Sequence, residues 1–316
     1  MRLTEPRAAT WTGAACDALG ISRDMLPEIA PATSIAGGLL RDPAVQLGLL
    51  AGTPVVVGAG DVPATQIGAG ATDPGAAHLS LGTSAYWGIT LADLRTDPAR
   101  RLGVLGHVCR DRWILWLEIA TAGGALAWFL RLLGAGAPTS DEVDRLVRGA
   151  DDDVPLFAPW LSGERAPVFD DEIRGAFVGL DLHHGLGHLL RAIMEGVAFQ
   201  VRRALAYAEA YGTPVVEIRV VGGGSMSDAW LAIIADVLGR PIMAMRDPQD
   251  AGARGALACL HVALGLEPDF AFAKRQAVIE KTYWPTAASA ERYDRSYSQF
   301  EQLYERLDRA HPVPPS

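Results

Sequence analysis

The chain has 316 residues, 49% of them apolar, with a formal net charge of −9 and a sequence pI of about 5.3. This length and composition allow one large domain or two lobes, and the lack of a basic cluster argues against nucleic acid as a partner. Only Lys274 and Lys281 among the 28 cationic residues are lysines, and no glycine-rich loop is followed by Lys-Ser or Lys-Thr, which excludes a P-loop NTPase.

The three cysteines and the hydropathy pattern exclude further classes of protein. Cys16, Cys109 and Cys259 are far apart and form no CxxC pair, so the sequence indicates neither a zinc site nor a disulfide framework. No apolar stretch reaches the ~18 residues that span a membrane, and MRLTEPRAATWTG has no apolar signal core. We therefore expect a cytoplasmic protein with no membrane partner.

The first half of the chain predicts one strand-to-helix unit followed by a meander. Residues 1–52 read as short helices and loops, whereas TPVVVGAGD (53–61) predicts a buried strand that ends in a glycine turn. Residues 61–71 predict a short helix with Asp61 at or near its N-cap. Strands are then predicted at 78–80 and 85–90, around a tight bend, and in the apolar runs 101–109 and 112–120.

The second half alternates helices with strands. Helices are predicted at 121–133, 138–149, 187–211, 228–238, 251–264 and 290–307, and strands at 216–225 and 240–247. The βαβα alternation after residue 216 favours parallel strands. A meander followed by α-β-α-β-α therefore predicts an α/β fold with a mixed sheet, of the actin-like (ribonuclease H-like) ATPase lobe type.

Three predicted strands end in glycine turns: VVVGAGD, LSLGTS and RVVGGGS. Successive backbone N–H groups in such turns can form anion-binding nests. Gly82-Thr83-Ser84 has the donors that a β- or γ-phosphate needs, although an ordinary hairpin bend also accounts for it. The glycines 222–224 precede a helix N-terminus and can bind a phosphate or form a tight packing turn. Ser227 replaces the third glycine of GxGxxG, which disfavours a dinucleotide fold.

Three other features have two interpretations each. Asp61 is a helix cap or a catalytic base that faces a substrate hydroxyl. Glu164-Arg165 in SGERAP is typical of a structural ion pair in a loop. His183, His184 and His188 resemble a metal cluster, but their spacing fits no standard ligand set, so we interpret them as solvated histidines at a helix N-terminus.

Five segments in this order resemble the FGGY family of carbohydrate kinases, and its xylulokinases most: TPVVVGAGD, HLSLGTS, WLSGERAPVFDDEIRGAFVGL, LLRAIMEGVAFQVRRAL and VVGGGSMSDAWLAIIADVLGRPI. Each segment alone is of modest specificity, whereas their order and spacing together are highly specific. The resemblance implies ATP-dependent phosphorylation of a sugar hydroxyl, on a ketose or polyol, with Mg²⁺. It also disfavours another kind of actin-fold ATPase.

The family's site residues can be placed on matching positions. By this resemblance Asp61 contacts the sugar and is the general base that takes the proton from its hydroxyl. The implied nucleotide-binding residues are Gly82 and Thr83 at the β- and γ-phosphates, Gly123 along the nucleotide, Gly223, Gly224 and Ser225 at the α-phosphate and adenosine, and Asp228 at a further contact.

The sequence departs from the family pattern in two ways. Family members open with a strand and an Asp-x-Gly-Thr phosphate loop, and no such strand precedes Thr53. Val62 stands where sugar-binding members usually have Asn or Gln, and Ala127 lacks a polar group found in some relatives. We therefore expect residues 1–72 to be the incomplete end of an N-terminal, sugar-binding lobe and 73–316 to be the C-terminal nucleotide-binding lobe.

Two functional hypotheses follow from that expectation. The chain is the C-terminal portion of a sugar kinase that is active only with its first lobe supplied. Alternatively, it is an inactive nucleotide-binding fragment or one chain of a split kinase. The expected partners are a sugar, ATP or ADP, and a second copy or an N-terminal lobe supplied in trans.

Overall fold

The computed structural model describes residues 4–5, 10–95 and 102–310, with side chains from 10 to 95 and from 102 to 307. The N-terminal part forms the strand pairs β1/β2 and β3/β4, both antiparallel, and three short helices. These elements are β1 (Thr4–Glu5), β2 (Thr10–Trp11), α1 (Gly13–Leu19), β3 (Ile35–Gly38), α2 (Arg41–Leu47), β4 (Pro54–Val56) and α3 (Asp61–Gly68).

The strand predicted at 53–61 is present only over residues 54–56, and the prediction that it is buried is wrong. β4 covers three residues; Val55 within it and Val57 directly after it are 41% and 44% exposed. β4 pairs with β3, a strand that the sequence did not indicate because two of its four residues are glycine. Leu40 and Leu50 are also exposed, so this part of the chain presents apolar side chains to solvent.

The remaining residues form the larger part of the molecule. Its strands are β5 (Ala76–Leu81), β6 (Ala85–Leu91), β7 (Gly103–Gly106), β8 (Trp113–Ile119), β9 (Leu156–Ala158), β10 (Ala176–Val178), β11 (Glu217–Val221), β12 (Ile242–Met245) and β13 (Ile279–Tyr283). Its helices are α4 (Gly123–Leu132), α5 (Ser140–Gly149), α6 (Leu186–Ala210), α7 (Asp228–Leu238), α8 (Ala251–Ala263), α9 (Ala271–Gln276) and α10 (Ala287–Ala310).

Seven of these strands form one mixed sheet in the order β13-β12-β11-β5-β6-β8-β7. β11 and β12 run parallel to β5, and the other neighbours are antiparallel. The predicted α/β fold with a mixed sheet is therefore confirmed. The strand order differs from a simple meander because β8 lies between β6 and β7. The antiparallel edge strand β13 was missed because three of its five residues are exposed and carry little apolar pattern.

The two faces of the sheet carry different helices. Leu79, Leu81 and Trp87 are fully buried, and the Trp87 indole N–H donates to the Val201 carbonyl of α6 at 3.0 Å. Side chains alternate along a strand, so His78 lies on the opposite face, where it contacts Gln66 of α3. The sheet is thus covered by helices on both sides. No helix within the described residues is long and apolar enough to cross a membrane.

Helix boundaries follow the local chemistry that the sequence shows. α7 begins after Ser227, whose hydroxyl accepts the Trp230 N–H at 3.1 Å, and it ends at Gly239, which has a φ of 63°. α5 begins with a capping box between Thr139 and Glu142. These termini lie within two residues of the predicted ones.

Candidate active site

Asp61 is the first residue of α3 and is exposed to solvent. Its Oδ1 accepts the N–H of Val62 at 2.9 Å, and Gly60 occupies the N-cap position without a side-chain bond. The side chain is therefore not a conventional N-cap. Burial raises the pKa of the Tyr86 hydroxyl, hydrogen bonds with Thr65 and Ser80 oppose that rise, and the nearby charge of Asp61 adds to it. The carboxylate thus lies on the side of the sheet where Tyr86 of β6 emerges.

A buried polar network fixes α3 on the sheet. The Gln66 amide donates to Thr90 Oγ1 and to the Ala71 carbonyl, each at 2.8 Å, and the Thr90 hydroxyl donates to the same carbonyl at 2.6 Å. Gln66 Oε1 must then accept, so His78 Nδ1 donates to it at 2.6 Å. Burial lowers the pKa of His78 to about 3, which keeps the ring neutral. A side chain at Gly88 would collide with both Gln66 and His78.

A close crossing with α8 fixes α3 from its other side. A Cβ at Gly68 would lie 1.7 Å from the Ala251 carbonyl oxygen, and one at Gly255 would lie 1.8 Å from that of Ala64. Only glycine permits this approach of the two backbones. The sheet and α8 together therefore determine where the first turn of α3 presents Asp61.

The hairpin Gly82-Thr83-Ser84 joins β5 to β6 and is held by the turn that leads into α4. The N–H groups of Ala122 and Gly124 both donate to the Thr83 carbonyl at 2.9 Å, and that of Gly123 donates to the Gly82 carbonyl at 2.8 Å. Gly123 is thus a direct neighbour of Gly82 and Thr83. A Cβ at Gly123 would come within 2.6 Å of the Gly82 oxygen.

The triple-glycine turn lies beside this hairpin because β11 is parallel to β5, with Val221 level with Ser80. Gly222 has a φ of 89°, and a Cβ at Gly222 or Gly224 would lie 2.7 or 2.5 Å from atoms of Leu81. A Cβ at Gly223 would meet no atom closer than 4.0 Å. Gly223 therefore faces open space, whereas its two neighbours are packed.

Ser225 and Asp228 continue from that turn. The Ser225 hydroxyl donates to the Gly222 carbonyl at 2.7 Å and is largely buried. Asp228 accepts hydrogen bonds from the hydroxyl of Tyr283 and from Lys281, the latter at 3.0 Å, and these bonds lower the pKa of its carboxyl group. Both partners belong to β13, so the sequence could not reveal this cluster without that strand.

Two cavities flank the glycine turns. One, of about 390 Å³, is lined by α4 and by residues around Ser162, and includes Thr83, Thr121 and Arg131. The other, of about 460 Å³, lies between the triple-glycine turn and β13, and is lined by Ser225, Asp228, Arg246, Lys281 and Tyr283 among others. The first contains hydroxyl groups and the guanidinium of Arg131, which suit a phosphorylated ligand. In the second, Arg246 and Lys281 are already paired with the carboxylates of Glu280 and Asp228.

Glu164 does not form the predicted ion pair with Arg165. Its carboxylate is buried, and Oε1 accepts the backbone N–H groups of Arg165 at 2.6 Å, Ala120 at 3.1 Å and Ala166 at 3.4 Å. The Arg165 guanidinium instead lies over the ring of Phe169. Burial raises the pKa of Glu164 to about 7, and the three N–H donors oppose that rise.

The histidines before and at the start of α6 lie close to several carboxylates: His183 is near Asp153 and Asp181, and His188 is near Asp151. Asp153, His183 and His184 each bring a ligand atom within 4.8 Å of the others. His184 Nδ1 accepts the Asp181 N–H at 2.8 Å, so in the neutral ring Nε2 carries the proton and donates to the Asp153 carbonyl at 3.1 Å. Both nitrogens of His184 are thus already used, which favours hydrogen-bonded histidines over metal ligands.

Comparison with known proteins gives two family-model matches. The C-terminal domain model of the FGGY family of carbohydrate kinases matches residues 77–264, and the N-terminal domain model matches residues 1–68. The expectation that the N-terminal lobe is largely missing is therefore wrong in that form, because both domains of the family are present. That expectation depended on the single motif Asp-x-Gly-Thr, and one short motif is weaker evidence than a match along 68 residues.

Individual relatives agree with these matches. The chain is 30% identical to the xylulose kinase of Escherichia coli (strain K12) over 306 residues, which cover 94% of this chain and 61% of the relative. A ligand-bound xylulose kinase from Lactobacillus acidophilus superposes with a TM-score of 0.89 at 26% identity, over 96% of this chain and 62% of that one. A gluconate kinase from the same organism gives the same values. The chain thus spans about three fifths of the length of these relatives.

Proposed function

Because the chain belongs to the FGGY family of carbohydrate kinases, we propose that it catalyses the ATP-dependent phosphorylation of a sugar hydroxyl. One observation carries the proposal: the hairpin Gly82–Ser84 and the triple-glycine turn lie side by side at the carboxyl ends of the parallel strands β5 and β11. Ligands of open α/β sheets bind at such strand ends. We also propose residues 1–72 as the sugar-binding lobe and 73–316 as the nucleotide-binding lobe.

The proposed nucleotide contacts follow from the position of these turns. Two of their donors are already used within the protein, because the Gly82 N–H donates to the Ser84 carbonyl at 2.9 Å and the Ser225 hydroxyl donates to the Gly222 carbonyl at 2.7 Å. Gly82 and Thr83 would hold the β- and γ-phosphates, and Gly223, Gly224 and Ser225 would lie along the α-phosphate and adenosine. The carbonyls of Gly82 and Thr83 are used within the protein, whereas the Thr83 hydroxyl bonds no described protein group. Gly123 would act mainly by supporting the hairpin, and Asp228 would border the nucleoside.

Asp61 is the proposed general base. Its exposed carboxylate would accept the proton of the sugar hydroxyl as the oxygen attacks the γ-phosphorus of ATP, while the bond from that phosphorus to the β–γ bridging oxygen breaks and ADP leaves. Mg²⁺ would enter with ATP, and it supplies neutralisation of the charge on the phosphates. The donors of the two turns suit such a complex because they are N–H and hydroxyl groups with no competing carboxylate among them.

The proposed substrate is a small sugar of the ketose or polyol class. The relatives carry the names xylulose kinase, gluconokinase and L-xylulose/3-keto-L-gulonate kinase. Val62 follows the proposed base and cannot donate a hydrogen bond to a sugar hydroxyl. Selection among such sugars would therefore depend on shape at this position more than on polar contacts.

A coupled assay of ADP release with D-xylulose, L-xylulose, gluconate and glycerol tests the proposal. We expect turnover with at least one of them, and Asp61→Asn should reduce kcat at least 100-fold while the ADP affinity, measured by calorimetry, changes less than twofold. Asp42→Asn, at an exposed aspartate in the first turn of α2, is the matched control. Absence of ADP binding at millimolar concentration would refute the proposed function.

A further inference from the structure

We propose that Glu164 is a positioning residue for the nucleotide phosphates, acting through the turn at residues 120–124 on the hairpin Gly82-Thr83-Ser84. This inference rests on the proposed function and adds a determinant of nucleotide affinity that lies outside the glycine turns.

The first step is the bond between Glu164 and the strand β8 terminus. Glu164 is 1% exposed, and its Oε1 accepts the Ala120 N–H directly after β8 ends. Close by, the hydroxyl groups of Thr121 and Ser162 form a hydrogen bond of 2.8 Å with each other. The loop that contains Ser162 and Glu164 is thus tied at two points to the first residues of the turn before α4.

The second step leads from that turn to the hairpin. Ala122, Gly123 and Gly124 donate three consecutive N–H groups to the carbonyls of Gly82 and Thr83. These bonds fix the plane of the hairpin peptides, and that plane sets the direction of the remaining donors. A displaced turn would therefore misdirect the groups that meet a phosphate, and a misalignment of this kind weakens a hydrogen bond steeply.

The loop of Glu164 is itself rigid. The Glu164 N–H donates to the Asp170 carbonyl at 2.7 Å, and the Asp170 N–H donates back at 2.9 Å. The Asp170 carboxylate accepts the Tyr304 hydroxyl of α10 at 2.7 Å, and the Gln200 amide of α6 donates to the Ala166 carbonyl at 2.6 Å. Glu164 can consequently act as a fixed support, because its loop is anchored to two long helices.

The chemistry of the contact predicts which substitution is tolerated. All three donors meet the same oxygen, Oε1. A glutamine carries an acceptor oxygen at the corresponding place, so Glu164→Gln keeps the bonds without the charge. Glu164→Ala leaves three backbone N–H groups without an acceptor in a buried site, which is costly.

The test compares nucleotide and sugar parameters in Glu164→Ala, Glu164→Gln and Glu172→Ala, the last being an exposed carboxylate in the same loop. We expect Glu164→Ala to weaken ADP binding about tenfold and to raise the KM for ATP similarly, with the KM for the sugar within twofold. Glu164→Gln should restore ADP affinity to within about threefold, and Glu172→Ala should equal the wild type.

Two outcomes would overturn the inference. One is wild-type ADP affinity in folded Glu164→Ala, and the other is a joint rise of both KM values, which indicates general damage. If Glu164→Ala does not fold, Ser162→Ala provides a second test, because it removes the hydrogen bond between Ser162 and Thr121. This variant should bind ADP about threefold more weakly than the wild type, and an unchanged affinity would contradict the inference. Wild-type protein that fails to bind ADP would refute the proposed function as well, so the two failures are distinguishable.

Discussion

The substitution Gly123→Ala measures how tightly the turn before α4 holds the phosphate hairpin. An alanine Cβ would lie 2.6 Å from the Gly82 oxygen, whereas ordinary contacts begin at 3.4 Å. The two backbones must then separate by about 0.8 Å, and the 2.8 Å bond from Gly123 to Gly82 would lengthen to about 3.6 Å, beyond hydrogen-bonding range. The clash is between the new Cβ and a backbone oxygen, so a change of side-chain rotamer cannot relieve it.

The expected loss of stability is the difference between two destabilising effects and one stabilising effect. Overpacking costs about 1–3 kcal/mol and the lost hydrogen bond about 1 kcal/mol, whereas the better helix propensity of alanine returns less than about 1 kcal/mol. We expect the free energy of unfolding to fall by about 1–4 kcal/mol, together with at least a fivefold loss of ADP affinity because the hairpin moves.

Urea unfolding and calorimetry with ADP measure the two quantities. Gly136→Ala is the matched control, since a Cβ there meets nothing within 4 Å and its φ is not positive. It should leave the ADP affinity unchanged and raise the free energy of unfolding by at most about 1 kcal/mol. If Gly123→Ala kept the stability and ADP affinity of the wild type, the reasoning that connects this turn to the hairpin would be refuted.

Three further predictions concern charges. His78 has a pKa of about 3 in the folded protein against 6.5 in the unfolded protein, so only the unfolded state gains a proton as pH falls below 6.5. The free energy of unfolding should therefore decrease, by at most about 5 kcal/mol, as pH falls from 6.5 towards 3. Over the same range the stability of His78→Gln should rise relative to the wild type. The pKa of Glu164 is about 7 in the folded protein against 4.5 for the free group, so its contribution to stability is present below pH 4.5 and is lost as pH rises to 7. The stability of Glu164→Gln relative to the wild type should therefore rise by at most about 3 kcal/mol between pH 4.5 and 7. Stability differences that do not change with pH in urea titrations would contradict both expectations. The exposed pair Lys281–Asp228 should contribute less than about 1 kcal/mol, and a Lys281→Ala loss above 2 kcal/mol in thermal unfolding would show that the cluster with β13 is stronger than a surface ion pair.

Several elements could be predicted because their signals are local. The turn at Gly222 and the boundaries of α7 depend on glycine conformations and caps that a few neighbouring residues specify. The hairpin at Gly82 follows from the apolar strand patterns on either side of it. The order of alternating strands and helices then indicated the mixed sheet. The resemblance to the FGGY family used the same local segments in sequence order, and the matching family models confirm it.

Other features depended on partners distant in the chain. The apolar run at β4 looks buried in sequence, yet its exposure depends on what packs against it, which local composition does not encode. Asp228 and Lys281 are 53 residues apart and meet only because β13 joins the sheet edge. The sequence suggests an ion pair between Glu164 and its neighbour Arg165, whereas the carboxylate accepts a hydrogen bond from Ala120, which is 44 residues away in the chain.

The sequence alone thus determined the glycine turns, the caps and the family, since these depend on backbone freedom and hydrogen bonds within a few residues. The tertiary structure decided which turns meet, how α3 presents Asp61 and what Glu164 supports. Those features arise from long-range packing, where the free energy of a side chain is set by partners that the chain brings together only on folding.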